Sequence, residues 1–208
     1  MYIQDQLREI RAAIAEAEAR SGQAAGSVSL LAVSKTFPAE DVRQAYDDGQ
    51  RLFGENRLQE AMEKMPALPS DCRWHLIGPL QRNKVRKALE QGLELIEAVD
   101  SLRLAETISR IAGEPGCTAR ILLEVNIDVE PTKHGFRPEE LAELWPQLTA
   151  LPFLEIRGLM CIPAPAPYGL MLKRLNAPRP PGVQQADYGH MGLLRPAACP
   201  LPAGLSGL

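Results

Sequence analysis

SLLAVS at 29–34, RLFGEN at 51–56, RWHLIG at 73–78 and LIEAVD at 95–100 are short β-prone runs whose starts fall 22 residues apart. RILLEVNI at 120–127 and LEIRGLM at 154–160 follow at longer intervals. Each run is short, apolar and β-prone, the pattern of a strand. The gaps carry helix signals. Pro38 precedes Glu40 and Asp41, with Gly49 as a stop, and Gln81 to Gln91 ends at Gly92. Ser101 stands where it can cap LRLAETISRI, and PEELAEL starts at Pro138. Pro146 is expected to kink or end that last helix, because it lacks an amide hydrogen. Ahead of the first strand, Ile3, Leu7, Ile10 and Ile14 recur at helical spacing.

Strand and helix in alternation predict right-handed βαβ units and a parallel sheet. Six units joined mostly by short loops favour a barrel over an open sheet. A complete eight-unit barrel takes about 250 residues, whereas this chain has 208 and its sixth strand ends near residue 160. The predicted fold is therefore α/β, of the (β/α)8 TIM-barrel type, incomplete, with about six βα units over residues 1–162.

Composition changes at that point. Residues 1–162 hold 25 of the 26 acids against 19 of the 23 basic residues, a net charge of −6. Residues 163–208 hold one acid, Asp187, and four basic residues, a net charge of +3, with nine of the 18 prolines. No alternating strand and no amphipathic helix is legible there, so an irregular, proline-rich tail is expected. Two readings stand for it: a disordered segment, or an out-of-frame translation of DNA that once encoded two further βα units.

Bulk properties narrow the function. A slightly acidic chain offers no field for a phosphate backbone, so no nucleic-acid partner is expected. No run approaches 18 apolar residues, and the acidic N-terminus suits neither a signal nor a transit peptide. Cys72, Cys117, Cys161 and Cys199 form no C-x-x-C, and the three histidines complete no zinc pattern, so no metal is expected. A reduced, cytoplasmic protein is the default.

In a parallel barrel the reactive groups stand at the carboxyl ends of the strands. Those ends present Lys35, Glu55 and Asn56, His75, Asp100, Asn126, and Met160 with Cys161. A lysine at the end of a buried strand is partly desolvated, which frees its amine as a nucleophile; the plain alternative is a solvated strand end. His75 reads either as a hydrogen-bonded structural histidine or as a pocket residue. Asn56 and Asn126 either finish turns or orient a ligand. Arg82, Lys84, Arg86 and Lys87 read as a solvated helix face, and Lys133 as a weak anion contact.

LLAVSK at 30–35, FGENRLQE at 53–60, WHLIGPLQRNK at 74–84, EVNID at 124–128, the K-x-G of Lys133 to Gly135 and RGLMCIP at 157–163 together resemble one family. It is the pyridoxal phosphate homeostasis family, single-domain relatives of the alanine racemase barrel. The resemblance implies a pyridoxal 5′-phosphate (PLP) protein in which Lys35 holds the cofactor as a Schiff base. It also implies that Asn56 and His75 line the pocket near the ring and that Met160 packs beneath it. The implied role is a PLP carrier in intracellular homeostasis, monomeric, with PLP-dependent apo-enzymes as recipients and no catalytic residues. The alternatives are a racemase-like enzyme and a non-functional product. Racemization needs an acid–base partner facing the lysine, and in the similar racemases a further domain supplies it as a tyrosine. The family also continues with Ser-x-Gly-Met-Ser and Arg-x-Gly segments, neither of which occurs here. Barrels commonly build a phosphate cup at those positions, so weak cofactor binding and exposed edges on the first and sixth strands are expected.

Overall fold

The computed structural model describes residues 2–127 and 134–162, together with the backbone of 191–193. The chain forms two compact units. The first comprises Met1–Glu55, Gln59–Trp74 and the 191–193 strand. It opens with α1 (Ile3–Ser21), which ends where Gly22 takes a φ of 69°, a left-handed turn that leaves the last carbonyls to the amides of Gly22 and Gln23. β1 (Leu31–Val33), α2 (Ala39–Asp47), β2 (Leu52–Glu55) and α3 (Leu58–Lys64) follow. Pro38 is the N-cap of α2, and Val42 and Ala45 form its buried face. Gln50 joins three elements: its amide donates to the carbonyls of Leu30 and Leu52, and its oxygen accepts from Arg11 of α1. Phe53 and Trp74 pack at 5.5 Å between ring centres.

The second unit takes Asn56–Leu58 and then runs on from His75 and Leu76 of β3 (Arg73–Leu76). It continues through α4 (Val85–Glu90), β4 (Leu95–Val99), α5 (Leu102–Gly113), β5 (Ala119–Glu124), α6 (Pro138–Thr149) and β6 (Leu154–Met160). Its strands pair in the order β3-β4-β5-β6, all parallel, around a core that includes Ile96, Ile108, Ile121, Leu123 and Phe136. All six expected strands and the intervening helices form. β1, β2 and β4 are buried almost throughout and read as plain apolar runs, whereas β5 alternates and β6 is half-buried along most of its length.

Four local expectations are corrected. The strip from Gln81 opens with a 3-10 turn at Arg82–Lys84, and α4 proper is only six residues long. Ser101 is the N-cap of α5, yet its hydroxyl donates to Asp100 instead of accepting a helix amide. Pro146 does not end α6, which runs on to Thr149; the Thr149 hydroxyl donates to the carbonyls of Trp145 and Pro146. The fourth correction concerns the tail. Met191–Leu193 forms β7, which pairs in parallel with β1 on the side away from β2, in the order β2-β1-β7. The outer edge of β1 is therefore covered, contrary to expectation. Three residues are too few to show a period of two, so no alternation marked them. The proposed out-of-frame seam and the rest of the tail, 163–190 and 194–208, lie outside the described residues.

Candidate functional site

The sequence-predicted residues occupy the carboxyl ends of their own strands. Lys35 lies two residues beyond β1, in the first unit. Asn56 follows β2, His75 lies within β3 and Met160 closes β6, all in the second unit. Lys133 and the end of EVNID at residue 128 lie outside the described residues.

Lys35 is half-buried, and no hydrogen bond or ion pair engages its amine among the described residues. Its neighbours, by contrast, are held firmly. The Ser34 amide donates to the Gly54 carbonyl at 2.9 Å, the last ladder bond of the β1–β2 pair. Past that point the Ser34 carbonyl accepts from Lys64 Nζ at 2.7 Å and from the Phe37 amide at 3.1 Å. The Ser34 hydroxyl donates to Glu55 Oε1 at 2.7 Å, and Lys64 Nζ donates to the same oxygen at 2.6 Å. Thr36 has a φ of 66°, a costly conformation for a β-branched residue, and its amide donates to Glu60 Oε2 at 3.3 Å.

Glu55 is fully buried and Lys64 is 9% exposed. Burial pushes the Glu55 carboxyl above its ordinary range, against the lowering effect of Lys64 and Ser34, and its Oε2 has no partner among the described residues. Lys64 was not legible as part of a site. The available signal was its place on the buried stripe of Leu58, Ala61 and Leu68, where a lysine needs a partner.

His75 is 8% exposed. Its Nδ1 meets Glu97 Oε1 at 2.5 Å on the neighbouring strand, and its Nε2 is buried with no partner among the described residues. A carboxylate at Nδ1 keeps a proton on that nitrogen; in the neutral ring Nε2 is then the acceptor. Glu97 was not singled out from sequence either. His75 is in register with Leu95, which puts residue 97 on the same face by the two-residue strand period.

Asn56 is half-buried against Gly78, whose imagined Cβ would lie 2.2 Å from the Asn56 carbonyl oxygen. The close approach of these two strand ends requires the glycine. Met160 is half-buried, and its carbonyl accepts from the Val125 amide at 2.8 Å. Asn126 is buried, with its amide bonded to the Phe136 carbonyl. Burial, and then the charge of Asp100, push the Glu124 carboxyl up, while His134 opposes them. Among the described residues no cluster of histidine, cysteine and acids suits a metal ion, and no helix is long and apolar enough to cross a membrane.

Within the first unit, the half-buried Lys35 amine, unengaged among the described residues, is a group that condenses with an aldehyde; within the second, His75 Nε2 is buried without a partner among the described residues. Alternating βα units with such groups at the strand ends define a class, and the comparisons agree with it. The profile of the alanine racemase N-terminal domain matches residues 6–184. The alanine racemase of Clostridium difficile, 17% identical with a TM-score of 0.63 over 80% of this chain and 46% of that one, shares the barrel-type fold.

Nearer relatives are more specific. The pyridoxal phosphate homeostasis protein of Pseudomonas aeruginosa is 42% identical over 166 residues, 78% of this chain and 71% of that protein. Its counterpart in Pasteurella multocida is 38% identical over 168 residues, 79% and 72% of the two chains. PipY of Synechococcus elongatus, solved with PLP bound, is 44% identical with a TM-score of 0.64, covering 78% of this chain and 76% of that one. The chain belongs to the alanine racemase N-terminal domain family and, within it, to the pyridoxal phosphate homeostasis proteins.

Proposed function

We propose that this chain binds PLP through the amine of Lys35 and serves in PLP homeostasis as a carrier, not as a catalyst. The observation that carries the reading is Lys35 itself: a half-buried amine, unengaged among the described residues, at the end of the first strand. PLP supplies an aldehyde that condenses with a primary amine, and a phosphate dianion. Lys35 provides the amine, on a backbone held at Ser34 and Thr36. His75, oriented by Glu97, offers a buried acceptor for a ring polar atom. Asn56 adds an amide at the end of β2, and Met160 an apolar surface at the end of β6. The site residues are proposed in these roles, together with a cytoplasmic, monomeric protein that hands PLP to apo-enzymes. The Ser-x-Gly-Met-Ser and Arg-x-Gly segments that would build a phosphate cup do not occur after Ile162 in this sequence, so weak binding is the expectation.

The test is borohydride trapping. Protein incubated with PLP is reduced, digested and mapped by mass spectrometry. The expected result is one modified peptide carrying Lys35, absent from Lys35→Ala. Equal modification of the variant, or a dominant adduct on another lysine, would sink the reading. Titrating PLP in the same assay reads its affinity and so decides whether binding is weak.

A further inference from the structure

We infer that the buried Glu55–Lys64 pair, with Ser34, is a positioning device that fixes the backbone carrying Lys35 and thereby sets the reactivity of its amine. The inference rests on the reading of Lys35 as the cofactor lysine. A buried ion pair is a poor source of stability, because removing two charges from water offsets most of their attraction. Its value must then be sought in what it holds. Lys64 spends one hydrogen bond on Glu55 and another on the Ser34 carbonyl, the first carbonyl beyond the end of β1. Glu55 takes the Ser34 hydroxyl with the same oxygen that takes the ammonium. On the other side of Lys35, the Thr36 amide is taken by Glu60, which lies 4.0 Å from Lys64 Nζ. Both flanks of Lys35 are thus tied to one face of α3 and the last residue of β2. The tie also holds Thr36 at its left-handed φ of 66°. A strained residue persists only where its surroundings over-determine it.

The network also separates two lysines by role. Lys64 is enclosed and hydrogen-bonded twice, so its lone pair is unavailable for attack. Lys35 is half-buried and unengaged among the described residues. Lys64 and Glu55 are therefore positioning residues, and neither needs to touch the cofactor.

The experiment compares the wild type with Lys64→Met and with the double variant Glu55→Gln/Lys64→Met. The double variant leaves no unpaired buried charge and is expected to fold. Three quantities are read: the rate of borohydride-trapped PLP on Lys35, the affinity for pyridoxine 5′-phosphate, and hydrogen–deuterium exchange over 34–37. Pyridoxine 5′-phosphate carries an alcohol in place of the aldehyde, so it reports the pocket without the amine. Positioning predicts that trapping slows on the order of tenfold to a hundredfold, exchange over 34–37 accelerates, and affinity for the alcohol changes by less than about twofold. Wild-type rates and exchange in the folded double variant would overturn the inference. So would equal losses of trapping and alcohol binding, which mark a merely structural pair. If the wild type traps no PLP on Lys35, the cofactor reading falls. Exchange over 34–37 and the reductive methylation rate of Lys35 with formaldehyde still decide the positioning role.

Discussion

At the scale of single residues, two positions beside the helices and strand ends make sharp predictions. Glu18, 4% exposed, closes the turn after α1. Its carboxylate accepts from the amides of Gly26 at 3.0 Å and Val28 at 2.7 Å and from the Ser27 hydroxyl at 3.2 Å. Those bonds, the Gly26 amide first, hold its pKa below the ordinary 4.5. A depressed folded-state pKa means that the contribution is complete above about 4.5 and is lost as pH falls through the folded value. Glu18→Gln should therefore flatten the acid limb of a stability–pH curve below that point and lower stability at neutral pH. A curve unchanged in both regions would contradict this. Gly78 poses a steric question instead. An alanine Cβ would lie 2.2 Å from the Asn56 carbonyl oxygen and 2.8 Å from its Cα, both backbone atoms unable to swing aside. Gly78→Ala should cost about 1–3 kcal/mol, read as a lower denaturant midpoint, and should displace Asn56.

Single elements show what a sequence can and cannot carry. The six strands from β1 to β6 were legible because each is an apolar run between turn signals. Lys35 and His75 were legible as strand ends for the same reason. Their partners were not. Lysine and glutamate default to solvent, so Lys64 in the α3 stripe and Glu97 in β4 declare themselves only once register and helix face are known. Strand β7 left no trace, since its pairing uses backbone groups that every residue has. Helix α6 is the opposite case: of the kink or end expected at Pro146, the end does not occur, and the helix continues for three residues beyond it. The missing bond belongs to the Ala142 carbonyl, and both residues are exposed, so the freed carbonyl is open to solvent. The proline still costs the helix. Pro146→Ala should raise stability by about 1–2 kcal/mol, below the ~3 kcal/mol of a buried interior site. Thermal melting reads the gain, and a lower midpoint would show that the proline is optimal where it stands.

For the whole molecule, the question is what the last 46 residues contribute to the proposed site, whose lysine lies near the other end of the chain. Their composition marked them as foreign to the barrel, but two findings tie them to it. The family match continues to residue 184, well past Ile162. And β7 pairs Met191, Gly192 and Leu193 with Leu31, Ala32 and Val33, all three residues of the strand that leads to Lys35. With β2 on one side and β7 on the other, β1 has neighbours along both edges. Remove β7 and a strand of three residues keeps one partner and gains an open edge, a template for pairing with other chains. A chain ending at Ile162 should therefore melt lower than the full protein, scatter light at concentrations where the full protein stays clear, and lose amide protection over Leu31–Val33. The Ser34 clamp would then hang from a frayed strand, so trapping of PLP on Lys35 should fall with it. A chain ending at Leu193 keeps β7 and serves as the control. If the chain ending at Ile162 matches that control in melting, protection and trapping, β7 contributes nothing to the strand that bears the lysine. The tail would then be the passive appendage its composition suggested.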